Sequence, residues 1–187
     1  MRFLLPLLAS LLLACGSTPP RYHIMATATL PQDPAFQAQE RSYALRETAL
    51  PDYLKSQYVI YRDGDGQTVI DKNQLWGEEF PENLRRVLTE MIAQRSGSHK
   101  IYRFPLTNQI RPERFIDIQI AEMIADYREK TLIVRGQWQV SDPGERNPQS
   151  HGFSRRYPLG ATPDADAIVA AYRQTLEDLS AAILPTL

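Results

Sequence analysis

The stretch IDIQIAEMIADYREKTLIVRGQWQV, residues 116–140, decides the fold class. Apolar and polar residues alternate in both of its halves, and a short polar segment, residues 127–130, separates them. A period of two is typical of strands with one buried face, so the stretch predicts an antiparallel hairpin with a dry face and a wet face. The dry face is predicted to carry Ile116, Ile118, Ile120, Leu132, Val134, Gly136, Trp138 and Val140. The wet face is predicted to carry Asp117, Gln119, Arg135, Gln137 and Gln139.

Further strands are predicted on both sides of this hairpin. Residues 58–62 and 67–71 flank the turn sequence DGDG, whose glycines supply the positive φ that a tight turn requires, and they predict a second hairpin. Shorter strands are predicted at residues 21–25, 42–47, 99–104 and 153–159, and a loop at residues 30–39.

Two segments have the apolar spacing of amphipathic helices. Residues 81–94 begin with a proline, which suits a first helical turn, and residues 164–183 follow Thr162 as the expected N-cap and Pro163 as the expected first position. Their apolar stripes are Leu84, Val87, Leu88, Met91 and Ile92, and Ile168, Tyr172, Leu176, Leu179 and Ile183. Two such helices would cover the dry face. The sequence therefore predicts an α+β fold, a two-layer sandwich of a mainly antiparallel sheet with two amphipathic helices packed on one face.

The N-terminus has the pattern of a bacterial lipoprotein signal. An apolar run too short to span a bilayer ends in LLAC, in which Cys15 is the only cysteine of the chain. This pattern predicts a signal peptide at residues 1–14, a lipid-attachment site at Cys15, a tether at residues 15–20 and a single domain at residues 21–187. The alternative is an ordinary export signal with an incidental cysteine. Gly16 in place of aspartate favours the outer membrane, by resemblance to enterobacterial sorting rules.

Composition excludes several classes of function. The chain has 21 Lys and Arg against 22 Asp and Glu, which argues against nucleic-acid binding and against a polybasic membrane patch. Its three histidines, at positions 23, 99 and 151, form no metal-binding motif, and no nucleophile elbow or phosphate loop is present. The DGDG turn fails the EF-hand template, since Thr68 stands where glycine is required. We therefore expect no enzyme activity, no metal and no cofactor.

Two neighbouring segments carry a family resemblance. ALPDYLKSQYVIY (residues 49–61) followed by NQLWGEEFPENLRRVLTEMI (residues 73–92) resembles the ABC-type transport auxiliary lipoproteins, the PqiC-like family. The shared features are Cys15, Tyr22, the run PDYL at residues 51–54, Leu75-Trp76, GQW at residues 136–138, and the helix ending near Ile183. Two features depart from the family pattern: His23 stands where a second tyrosine is common, and GEEF replaces the usual small, acidic, Pro-Leu run.

The resemblance implies a role in transport between membranes. Such lipoproteins accompany MCE-domain proteins, which carry lipids across the envelope, together with inner-membrane transporter components. The implied role is to anchor or dock the distal end of the transport tube at the outer membrane from its periplasmic side, with a homo-oligomer around the lipid path as a further expectation. Two alternatives stay open: a structural envelope-assembly lipoprotein with no part in lipid transport, and a lipid-anchored hydrolase.

The partner contact is predicted in the family-specific segment. Leu50, Tyr53 and Leu54 in this segment fit neither a helix nor a strand period, and loops on a rigid scaffold are well placed to reach a neighbour. We expect the contact, with an MCE protein or a second copy, to involve Leu50, Tyr53, Leu54, Tyr58 and Tyr61. The hairpin tip at residues 63–66 and the wet sheet face are competing surfaces.

Overall fold

A computed structural model describes residues 19–34, 41–107 and 109–187. The predicted signal peptide and Cys15 lie outside the described residues. The strands are β1 (Arg21–His23), β2 (Tyr43–Ala49), β3 (Tyr58–Arg62), β4 (Thr68–Trp76), β5 (Ile101–Arg103), β6 (Arg114–Asp126), β7 (Thr131–Ser141) and β8 (Ser150–Pro158). The helices are α1 (Phe80–Ser96) and α2 (Ala165–Ile183), and 3-10 turns span Asp52–Lys55 and Leu184–Thr186.

The hairpin that decides the fold class forms the centre of the sheet. β6 and β7 pair antiparallel from Phe115 opposite Ser141 to Asp126 opposite Thr131, and β8 pairs antiparallel with the outer edge of β7. A β-bulge at residue 121 shifts the register of β6. Beyond it, Met123 faces the core, so the side-chain alternation changes phase in the middle of the strand.

The other edge of β6 is shared by two branches of the sheet. β2 pairs in parallel with residues 114–119 of β6, and β5 extends that branch. β3 pairs in parallel with residues 125–126 only, and β4 and then β1 extend the second branch. The antiparallel hairpins are confirmed, whereas the parallel pairings that join them were not predicted, because strands far apart in sequence leave no local pattern for their pairing.

Both helices pack on one face of this sheet, which confirms the predicted two-layer α+β sandwich. Leu84, Leu88 and Met91 of α1 are fully buried and share one hydrophobic core with Trp138. One detail of the prediction was wrong: the N-cap of α2 is Asp164 rather than Thr162. The Asp164 side chain accepts a hydrogen bond from the Ala167 N–H at 2.8 Å, so the helix begins after the proline.

The chain after β1 lies along α1 instead of continuing as a strand to residue 25. Asn83, which is fully buried, both donates to and accepts from the backbone of Met25, at 3.1 and 2.9 Å. One turn after another of α1 repeats such contacts, with the Leu30 N–H donating to Gln94 Oε1 at 2.7 Å and the Asp33 N–H to the Arg95 carbonyl at 2.9 Å. Side chains of α1, and the Arg95 carbonyl at its last turn, thus supply partners that a sheet would otherwise supply.

Candidate interaction surfaces

The family-specific segment, residues 50–61, lies where the two branches of the sheet diverge. It leaves β2 at the end of one branch, makes the turn Asp52–Lys55 and enters β3 of the other. Leu54 is buried in the hydrophobic core, and Leu50, Tyr53 and Tyr61 pack against that core while partly exposed. The segment therefore connects the two branches and covers the edge of β6 between them.

Tyr53 supplies the hydrogen bond that the gap would otherwise lack. Residues 120–124 of β6 have no strand partner on this edge. The Met123 N–H donates to Tyr53 Oη at 3.0 Å, and Tyr172 Oη donates to the Met123 carbonyl at 3.5 Å. Burial raises the pKa of the Tyr53 phenol, which favours the protonated hydroxyl still further. A side chain here replaces a missing strand.

The outward side of the same segment is polar. Lys55 Nζ and Asp52 Oδ1 form an exposed ion pair at 2.6 Å. Tyr61 stacks on Tyr127 with ring centroids 4.1 Å apart, which occupies one of its faces. Tyr58 is partly exposed on the sheet face that points away from the helices. Of the five predicted contact residues, Leu54 points inward, and the prediction of a partner contact now depends on the outward side chains of the segment.

The open sheet face is polar where β6 and β7 form it. Asp117 is buried there rather than solvated, because Arg46 Nε donates to its Oδ1 at 2.9 Å, and this hydrogen bond raises the pKa of Arg46. Gln137 Nε2 donates to Gln119 Oε1 at 2.8 Å. Two depressions, of about 260 and 570 Å³, lie beside these glutamines.

A charged cluster separates this polar region from the β3 branch. Glu122 accepts from Arg62 Nη2 at 3.2 Å and lies 3.3 Å from Arg135 Nη1. Arg135 was predicted on this face but Glu122 was not. Simple alternation from Ile120 assigns Glu122 to the core face, and the bulge at residue 121 brings it to the open face instead.

The hairpin tip is organised by its own aspartate. Asp63 Oδ1 accepts from the N–H groups of Asp65 and Gln67, at 3.0 and 2.9 Å, and Gly66 has φ +81°. This is an Asx-type turn, in which the carboxylate serves the backbone. Within the described ranges, no group of three His, Cys, Asp or Glu side chains is arranged to hold a metal ion.

The comparison with protein families gives one match that spans nearly all of the folded part. The model described as "ABC-type transport auxiliary lipoprotein component" matches residues 22–184. In the part of the chain that the structure describes, neither helix is both long and apolar enough to cross a membrane.

Individual relatives are more distant. The intermembrane transport lipoprotein PqiC of Escherichia coli strain K12 is 25% identical over 101 residues, which cover 54% of this chain and 52% of the relative, and that of Shigella flexneri gives the same values. The chain thus matches about half the length of these curated relatives. Among solved structures, one of an uncharacterized protein has a TM-score of 0.71 at 19% identity, covering 90% of this chain and 98% of the other. A protein from Xanthomonas campestris has a TM-score of 0.73 at 14% identity, covering 88% and 92%. These structures share the fold.

Proposed function

The chain belongs to the family of ABC-type transport auxiliary lipoprotein components, and on that basis we propose that it is a lipid-anchored docking protein for an intermembrane lipid transport system. Its role is to hold the distal end of an MCE-domain tube at the outer membrane, from the periplasmic side. The observation that carries this proposal is the family match over residues 22–184, which begins seven residues after Cys15 of the LLAC motif.

Cys15 is the proposed anchor. Its thiol would receive a diacylglyceryl group and its amino group a further acyl chain after cleavage behind Ala14. Each buried methylene contributes about 0.8 kcal/mol, so one chain binds marginally and several chains hold the protein durably. The short tether, which contains Pro19 and Pro20, would be extended and would set how far the domain can lie from the membrane surface.

The anchor is tested by changing its nucleophile. Cys15→Ser removes the sulfur that carries the lipid, so metabolic labelling with a fatty acid should mark the wild-type protein and leave the variant unlabelled. Equal labelling of both proteins would refute acylation at Cys15.

The proposed partner surface is the outward side of residues 50–61. Because Leu54 is buried and the Tyr53 hydroxyl is bonded to Met123, the atoms that reach a neighbour are those of Asp52, Lys55 and Tyr58. An MCE protein or a second copy of the chain would meet a charged pair beside an aromatic ring.

Charge reversal tests this surface without disturbing the core. Lys55→Glu breaks the exposed ion pair with Asp52 and should reduce the recovery of MCE and transporter proteins by pull-down from detergent-solubilised membranes. Arg155→Glu is the matched control, since Arg155 is exposed on β8 and undergoes the same change of charge. Equal recovery with both variants would place the contact elsewhere, and a wild-type pull-down without any transport protein would favour the structural envelope lipoprotein.

A further inference from the structure

The large apolar side chains that remain mostly exposed are concentrated at one edge of the sheet. Among the described residues they are Tyr22, Ile24 and Ile70, with 67%, 53% and 53% of their surface exposed. Tyr22 belongs to the edge strand β1, Ile24 follows that strand, and Ile70 lies on its neighbour β4. Isolated exposed apolar residues are ordinary, but three of this size on adjacent chain segments form a patch.

Strand register shows that this patch lies on the sheet face opposite the helices. Tyr22 is opposite Leu75, which is opposite Tyr58. Ile60, two residues after Tyr58 on β3, is opposite Ile70. Val59, between Tyr58 and Ile60, belongs to the core beneath the helices. Ile24 lies on the same side as Tyr22, because His23, which separates the two, and Met25, which follows Ile24, are both buried. We call Tyr22, Ile24 and Ile70, with the partly exposed Leu75, the apolar edge.

The apolar edge lies next to the point where the tether enters the domain. Arg21 is six residues after Cys15, and an extended chain advances at most about 3.6 Å per residue, so the acylated residue lies within about 22 Å of β1. β1 is parallel to β4, with Arg21 opposite Gln74. The backbone entering β1 therefore comes from the direction of the earlier residues of β4, where Ile70 lies.

From this arrangement we propose that the apolar edge rests in the interfacial layer of the bilayer that holds the acyl chains. The proposal depends on the proposed acylation of Cys15. Tyrosine suits this layer because its ring is apolar and its hydroxyl is hydrated, and isoleucine gains by leaving water. Arg21 and Lys72, both exposed on β1 and β4, add positive charge beside the patch, which favours anionic headgroups.

The contact would give the domain a fixed orientation. In the strand order, β8 is five strands away from β1, a distance of about 24 Å at about 4.8 Å per strand. With β1 at the membrane, β8 is the strand of the sheet farthest from the contact. An acyl anchor on a flexible tether cannot by itself set this orientation.

The lone cysteine makes the test direct. In the acylated protein Cys15 carries no free thiol, so a cysteine introduced by Tyr22→Cys, Ile24→Cys or Ile70→Cys is the only site for an environment-sensitive fluorophore. The matched control is Gln137→Cys, at an exposed position of β7. Each labelled lipoprotein is reconstituted in phosphatidylethanolamine–phosphatidylglycerol vesicles, and quenching is measured with aqueous iodide and with lipids that carry a nitroxide on the headgroup.

We expect the three edge positions to be quenched by the nitroxide lipid and shielded from iodide, and position 137 to show the reverse. Edge labels that respond as position 137 does would overturn the proposal. Shielding that rises with protein density, without quenching by the nitroxide lipid, would assign the edge to a second copy and would also overturn it. Labelling of the wild-type protein would show that Cys15 is free, which refutes the anchor itself and is read separately from the other two outcomes.

Discussion

Removing one oxygen atom at Tyr53 should destabilise the whole domain. Tyr53→Phe keeps the aromatic ring that packs against the core and deletes only the hydroxyl that accepts from the Met123 N–H at 3.0 Å. Met123 is fully buried and its N–H lies in the part of β6 that no strand pairs on this edge. The substitution therefore leaves a buried donor without its acceptor.

The magnitude follows from the cost of such a donor. A buried backbone N–H that loses its partner costs about 1–3 kcal/mol. For a domain of 150–250 residues, each kcal/mol corresponds to roughly 2–4 °C in Tm, so the variant should melt about 2–12 °C below the wild type.

Thermal unfolding followed by circular dichroism measures this difference. Tyr22→Phe is the control, because its hydroxyl is on a side chain that is 67% exposed and its removal should leave Tm unchanged. A Tyr53→Phe protein with the same Tm as the wild type would show that the hydroxyl does not stabilise the part of β6 that lacks a strand partner. Tyr53 would then again be a candidate for the partner contact.

Three further predictions concern the core, the bulge and the tyrosines. Leu88→Ala, at a fully buried position of α1, should lower the free energy of unfolding in urea by about 2–5 kcal/mol; an unchanged midpoint would contradict the packing of α1 on the sheet. Gly136→Ala places a Cβ 2.6 Å from the Gln119 carbonyl oxygen and should lower the free energy of unfolding by about 1–3 kcal/mol. Gly152→Ala is the control and should lower it much less, because its Cβ meets nothing within 4 Å. Equal effects of the two substitutions would refute the steric argument. Burial raises the pKa of Tyr127, Tyr157 and Tyr172, with the hydrogen bond to Asp178 adding to the effect at Tyr157. Because the folded state then holds these protons more tightly than the unfolded state, these three tyrosines should add no pH dependence to stability below about pH 10 and should lower stability at higher pH; phenolate absorbance showing that all nine tyrosines ionise at about pH 10 without unfolding would contradict this.

Local sequence pattern determined the elements and their layers. Alternation over residues 116–140 specified the central hairpin because each residue of a strand points to the opposite face from its neighbour. The spacing of Leu84, Leu88 and Met91 specified the buried side of α1, because residues three and four apart lie on the same side of a helix. The family resemblance was likewise readable in the sequence, since the motifs that carry it are short and contiguous, and the family match confirms it.

The interaction surfaces depended on contacts that no local pattern records. Asp117 looked like a solvated residue because its partner Arg46 is 71 residues away in sequence. Glu122 was missed because a bulge opposite residues 135–136 changes the phase of β6 after residue 121. Propensity and periodicity describe neighbours along the chain, so pairs of this kind become visible only in the folded domain.

Tyr53, in the most family-specific part of the chain, shows the same difference between what the sequence determines and what the fold decides. The sequence by itself determined that Leu50, Tyr53 and Leu54 fit neither a helix nor a strand period, and that they lie between two strands. Only the tertiary structure decided that β2 and β3 share one edge of β6, that they leave residues 120–124 without a strand partner there, and that a tyrosine 70 residues from Met123 supplies the missing acceptor. The physical reason is that every buried backbone N–H requires a partner, and that requirement is met by whichever group the whole fold brings within reach.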